Sequence, residues 1–263
     1  MNYDFWQKQG SKPLFPDIEW NKPEQKTKAG KLAIIGGNKL SFAVTAQNYT
    51  RANEFGVGEV RAVLPDSLRK NLPANPDIIF APSNLTGSFN HEAVADLTAT
   101  IMWADCTLLI GDLGKNAETA AVIEELATNN DKKQIITRDT VDLLLNVGSK
   151  LVEKDNTMLI LTFTQLQKLF HHVYYPKVLT FNMQLTNLVE DLHKFTVTYP
   201  CTIGTLHQDS FIAAHGGQVV TTPLTDTKYS PMSLWSGEVA TKAATYLIWN
   251  PGKPLEVLTT SIL

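Results

Sequence analysis

The chain has 263 residues, 43% of them hydrophobic and 19% charged, with a formal net charge of -3. That balance is enough for a large buried core and excludes a disordered chain, leaving one large α/β domain or two small ones. No run of Lys or Arg forms a stripe or tail, which argues against a nucleic-acid partner.

Residues 1–29 carry Pro13, Pro16 and Pro23 among several lysines, and they read as an extended arm before a core that begins at Lys31. The first residues lack an apolar leader, and no run reaches the roughly 20 apolar residues of a membrane span. The expectation is a soluble, cytoplasmic protein with no membrane partner. Cys106 and Cys201 alone do not make a disulfide framework and fit a reducing compartment.

Lys31 to Ile35 is a short apolar, β-branched run closed by Gly36-Gly37, and Ser41 to Glu54 has helical length and composition. Gly56-Val57-Gly58 ends that helix, and Glu59 to Leu64 reads as the next strand. The order repeats as strand Cys106 to Ile110, turn Gly111 to Gly114 and helix Glu118 to Thr128. It continues with strand Gln134 to Thr137 and helix Thr140 to Leu145, then strand Met158 to Leu161 and helix Thr164 to Phe170. Strands alternating with helices predict a mostly parallel sheet covered on both faces. From Thr196 to Thr222 the texture turns to short β-rich runs, with Ser210 to Ala214 and Gln218 to Thr222 forming a hairpin over His215-Gly216-Gly217. A final helix is expected from about Ser236 to Trp249. No linker or repeat is evident, so a single domain is expected.

Four turns at strand ends could carry chemistry. Gly36-Gly37-Asn38 allows close backbone approach to an anion at a helix start, or is simply a tight turn. Asp112, in Gly111-Asp112-Leu113-Gly114, either contacts a substrate or caps the helix near Ala117. Asp139 has the same two readings for the helix from Thr140. In Trp235-Ser236-Gly237-Glu238, Ser236 and Gly237 could offer backbone donors to a phosphate and Glu238 could act as a base. An ordinary helix start with Ser236 as N-cap is the competing reading. The dinucleotide fingerprint, the G-x-x-x-x-G-K-[ST] loop and the G-x-S-x-G elbow are all missing, and the histidines lack metal-ligand spacing, so no metal site is expected.

Taken in order, these segments resemble the ribokinase-like family of ADP- or ATP-dependent NAD(P)H-hydrate dehydratases. Lys26, Gly30, Lys31, Gly36-Gly37, Arg51-Ala52 and Gly56-Val57-Gly58 follow that family's K-G-x-x-G-R, G-G-S and G-A-G spacing. Ile110 to Thr119 is similar to its I-G-P-G-L-G segment, and Thr137 to Val141 lies where it has D-A-D-A-L. The family's T-P-H-P-G-E stands here as Thr162-Phe163-Thr164-Gln165. Its L-K-G-x-x-T falls at Thr205 to Ser210, with Leu206 in place of the lysine, and its G-[ST]-G-D becomes Trp235 to Glu238.

The resemblance implies a ribokinase-like three-layer sandwich, a mostly parallel sheet with helices on both faces. It implies a hydro-lyase that uses ADP or ATP, admits Mg2+, and restores hydrated NADH or NADPH. Glu238 would be the catalytic base. Ser236, Gly237, Leu206, His207, Gln208, Asp209 and Ser210 would bind the adenine nucleotide. Gly36, Gly37, Asn38, Ala43, Val44, Gly114 and Asp139 would bind the hydrated substrate. Small nucleotides are the implied partners, in a symmetric homo-oligomer. The altered motifs set two alternatives beside this activity: a catalytically silent nucleotide-binding relative, and a small-molecule kinase of the same superfamily.

Overall fold

The computed structural model describes residues 3–263. In chain order its elements are β1 (Trp6–Lys8), α1 (Asp17–Trp20), β2 (Lys31–Gly36), α2 (Ala43–Phe55), β3 (Glu59–Pro65), β4 (Ile78–Ala81), α3 (Val94–Trp103), β5 (Cys106–Gly111), α4 (Ala117–Asn129), β6 (Lys133–Thr137) and α5 (Asp139–Leu143). There follow α6 (Gly148–Val152), β7 (Thr157–Leu161), α7 (Phe163–His172), α8 (Leu185–Thr198), β8 (Thr202–His207), β9 (Ser210–His215), β10 (Gln218–Pro223), α9 (Pro231–Trp235), α10 (Glu238–Trp249) and α11 (Pro254–Ser261).

Among the described residues ten strands form one sheet in the order β1-β10-β9-β8-β7-β6-β5-β2-β3-β4. Of their pairings, β8–β9 and β9–β10 are antiparallel and the others parallel. The central strands are mostly apolar because both faces are covered: every residue of β5 and β7 is buried. Alternate side chains serve opposite faces. Leu109 belongs to the apolar cluster that includes α3, α4, α7 and α8, whereas Leu108 and Ile110 belong to the one that includes α10 and α11.

Starting from β2, the chain winds outward through β3 and β4, then returns to build β5 to β8 on the other side. The direction of winding reverses between β2 and β5, and the carboxyl ends flanking such a switch point are where open α/β sheets bind ligands. Gly36 ends β2 beside Gly111 at the end of β5.

Three sequence expectations need correction. The arm is not merely extended: β1 adds parallel to β10, Trp6 Nε1 donates to Thr221 Oγ1 at 2.9 Å, and Ile18 in α1 is fully buried. Three residues of strand with polar neighbours leave too little periodicity to read. The last helix is α11, not α10, and α10 starts at Glu238 because Gly237, at φ 80°, sits in the left-handed region as its N-cap. The run from Thr196 begins as the end of α8 rather than as strand.

Candidate active-site cleft

The two glycine turns of the switch point are joined directly. Gly37 N–H donates to the Gly111 carbonyl at 2.9 Å, and a Cβ on Gly36 would stand 2.7 Å from that same oxygen. Asn38 Nδ2 donates to the Asp112 carbonyl at 2.5 Å, and Ser41 Oγ donates to Asp112 Oδ2 at 3.0 Å. Ala43 and Val44 follow in the first turn of α2, Ala43 exposed and Val44 half-buried. Gly36, Gly37 and Asn38 thus serve to fasten one strand end to the other.

Beyond β5, Gly111 and Asp112 both have positive φ, 97° and 57°. The turn is held by Asp139, whose carboxylate accepts the Asp112 N–H at 3.0 and 3.1 Å. Neither aspartate is the helix cap that sequence allowed. Asn116 caps α4, accepting from Thr119 N–H at 2.8 Å, and Asp139 opens α5 while its side chain reaches back to β5.

Arg138, which sequence reasoning passed over, is the pivot of this edge. Its backbone lies at φ 58°, ψ -144°, a conformation that costs a non-glycine residue about 1–3 kcal/mol and tends to persist at functional sites. Its side chain is 7% exposed. One terminal nitrogen donates to Asp112 Oδ1 at 3.0 Å, the other to the Trp235 carbonyl, and the guanidinium stands 4.9 Å from the Trp235 ring centre. Nε has no hydrogen-bond partner, with Asp139 Oδ1 4.0 Å away. Gln165, capping α7 together with Thr162, donates to the Arg138 carbonyl at 2.7 Å and to Asp142 at 2.8 Å.

Two cavities meet at Arg138 and Trp235. The larger, about 660 Å³, is lined by Asp112, Gly114, Lys115, Asp139, Asp142, Leu143 and Lys168 as well as that pair. It lies within the range of small-molecule sites. Lys168 neutralises Asp142 at 2.6 Å. The smaller, about 160 Å³, is mostly apolar, with Ile160, Leu161, Phe163, Leu206 and Leu234 in its wall; about 150 Å³ suffices for a benzene ring.

The turn from Trp235 to Glu238 lies at this edge but is already satisfied. Ser236 N–H donates to Met232 O at 2.7 Å and Gly237 N–H to Leu234 O at 3.1 Å, because α9 runs straight into the turn. Ser236 is therefore the C-cap of α9 and not the N-cap of α10. Its carbonyl accepts from Asn48 Nδ2 at 2.8 Å, and Asn48 Oδ1 accepts from Thr241 Oγ1 at 2.8 Å. Glu238 faces α2, where its carboxylate pairs with Arg51 at 3.3 Å. It lines neither cavity.

Of the proposed nucleotide residues on the hairpin, Leu206 alone lines a cavity. His207 is buried, stacked 4.6 Å from the Phe163 ring centre with Nε2 2.9 Å from Met183 O. Gln208 and Asp209 form the turn between β8 and β9, and Ser210 starts β9. Gly114, at φ 83°, and Asp139 line the larger cavity. Among the described residues no three His, Cys, Asp or Glu side chains converge as a metal-ligand set, and no helix is long and apolar enough to cross a membrane. Both cysteines are buried free thiols, and burial pushes Cys106 up to about 12.

No family model and no curated protein matches this chain by sequence. Solved structures do match it by shape. A ribokinase-like superfamily protein from Enterococcus faecalis superposes with a TM-score of 0.73 at 14% identity, over 99% of this chain and 87% of the other. A hypothetical protein from Streptococcus mutans gives 0.67 at 13% identity, over 93% and 85%. The ADP/ATP-dependent NAD(P)H-hydrate dehydratase from Bacillus subtilis, co-crystallised with ATP and Mg2+, gives 0.60 at 10% identity, over 95% and 86%. The chain has the ribokinase-like α/β fold. Within it, the carboxyl edge at β5 and β6 carries the candidate site.

Proposed function

We propose that this protein binds nicotinamide and adenine nucleotides in the cleft at the switch point, and that it is a relative of the NAD(P)H-hydrate dehydratases in which phosphoryl transfer is switched off. The observation that carries this reading is the placement of Glu238. A general base must come within hydrogen-bond reach of the proton it takes, and this carboxylate is turned to Arg51, outside both cavities. The neighbouring turn supports the same conclusion: its Ser236 and Gly237 amides are spent on α9, so they are not available to a transferring phosphoryl group.

The cleft itself suits a nucleotide. The Trp235 indole, 43% exposed, offers a face for stacking. Asp139 and Asp142 can accept from sugar hydroxyls, and Lys115 supplies a positive charge at the rim. The smaller cavity accepts one aromatic ring.

A second reading, the full ADP- or ATP-dependent dehydratase, draws on one feature. The Arg51–Glu238 pair is partly exposed on both sides, and such pairs contribute only about 0–1 kcal/mol, so closure around substrate could release the carboxylate. Hydrated NADH incubated with ADP or ATP separates the two. Binding detected by calorimetry without recovery of NADH absorbance supports the binder, whereas recovery above the no-enzyme rate establishes the dehydratase.

A further inference from the structure

We propose that Arg138 is the anion receptor of the cleft, holding the phosphate of a bound nucleotide where the two cavities meet, with the Asp112 carboxylate as its place-holder in the ligand-free protein. The inference rests on the nucleotide-binding reading and adds the residue that selects a phosphorylated ligand over its nucleoside.

The argument begins with cost. Arg138 keeps a strained backbone, φ 58° and ψ -144°, where glycine would be at ease. A buried guanidinium also requires partners for its charge. Here those partners are makeshift. Asp112 satisfies one terminal nitrogen, the Trp235 carbonyl another, and the buried Nε makes no hydrogen bond, facing Asp139 Oδ1 only at the ion-pair distance of 4.0 Å. Two well-placed carboxylate contacts would satisfy the fork better, yet Asp139, the other near carboxylate, is committed to the Asp112 amide.

Position supplies the function. Arg138 and Trp235 line both cavities, so a ligand with its ring in the apolar cavity and a phosphate directed to the larger one must pass the guanidinium. The planar fork matches phosphate oxygens, and the exchange of one anion for another keeps the buried charge compensated. Asp112 loses little on release, because Ser41 Oγ still donates to its other oxygen at 3.0 Å. Leu206 brings no positive charge to the smaller cavity, and Arg138, which lines the same cavity, supplies it.

The test is calorimetric titration of the full chain with ADP and with adenosine. Wild-type protein should prefer ADP by about tenfold or more, the scale of a charge-assisted hydrogen bond. Arg138→Gln and Arg138→Gly should abolish the preference, bringing ADP to the affinity that adenosine has in the same variant; the glycine variant relieves the backbone strain and so guards against a folding defect. Asp112→Asn should tighten ADP by about threefold or more, since it removes the competing anion. A purely structural Arg138–Asp112 pair predicts the opposite, weaker ADP binding in Asp112→Asn, and that result overturns the proposal. Equal wild-type affinity for ADP and adenosine, or an unchanged ADP affinity in both Arg138 variants, overturns it while leaving nucleotide binding intact. Wild-type protein that binds neither compound overturns both.

Discussion

Two turns at the same edge of the sheet use the same ingredients, a glycine with positive φ followed by a helix, and end in opposite states. At Gly111 the turn is propped open by Asp139 and faces a cavity of about 660 Å³, with a buried arginine short of partners beside it. At Gly237 the turn is closed: its amides bond to α9, its preceding carbonyl to Asn48, and its carboxylate to Arg51. A glycine-rich helix start binds an anion only when its donors are left over; the amides of the Gly237 turn are spent on α9 and the Asp112 amide on Asp139, so beside the open turn the donor is the Arg138 side chain and not the backbone.

The comparison can be broken most severely at Gly111. A Cβ there would stand 2.1 Å from Asp139 Oδ1 on a backbone at φ 97°, so Gly111→Ala should lower stability by about 3 kcal/mol or more in urea denaturation. A loss below about 1 kcal/mol would show that Asp139 does not hold the open turn. The closed turn should fail next. Asn48 is fully buried and bonds to Val44, Ser236 and Thr241, and Asn48→Ala leaves those groups unpaired at a cost of about 2 kcal/mol. An unaltered melting temperature would mean that the closure of this turn owes nothing to Asn48.

How far the sequence foretold this contrast depends on the element. The strands of the parallel core were readable because burial on both faces makes each a continuous apolar run, as in Leu32 to Ile35 and Leu108 to Ile110. Helix α11 was not, since Thr260 and Ser261 look polar until their hydroxyls bond back to Glu256 and Val257 carbonyls at 2.8 and 2.7 Å. The carboxyl-edge turns were found from their glycines and aspartates. The direction of Glu238 was not legible, because the Arg51 that turns it aside lies 187 residues away along the chain. Arg138 gave no signal: nothing in Thr137-Arg138-Asp139 announces a positive φ.

A smaller effect, further along α10, sharpens the view that this side of the molecule is built for stability. Lys242 is buried between the Tyr229 and Tyr246 rings, and burial lowers it to about 8 from 10.5. Between those values the unfolded chain holds more protons than the native one, so this residue makes stability rise with pH. Burial holds Tyr229 up at about 12 and the cysteine thiols up as well, which works in the opposite sense above about pH 9. The difference between wild type and Lys242→Met should therefore be read between pH 8 and 9, where it should shift by about 1 kcal/mol in the wild type's favour. A difference independent of pH would place the ammonium in water.

The most direct measurement of the central claim is recovery of NADH absorbance from hydrated NADH with ADP or ATP. With Glu238 held by Arg51 and the Ser236 and Gly237 amides engaged, the rate should equal that without enzyme while calorimetry reports bound nucleotide. Recovery above that rate, abolished in Glu238→Gln, would contradict the account and return Glu238 to the catalytic centre.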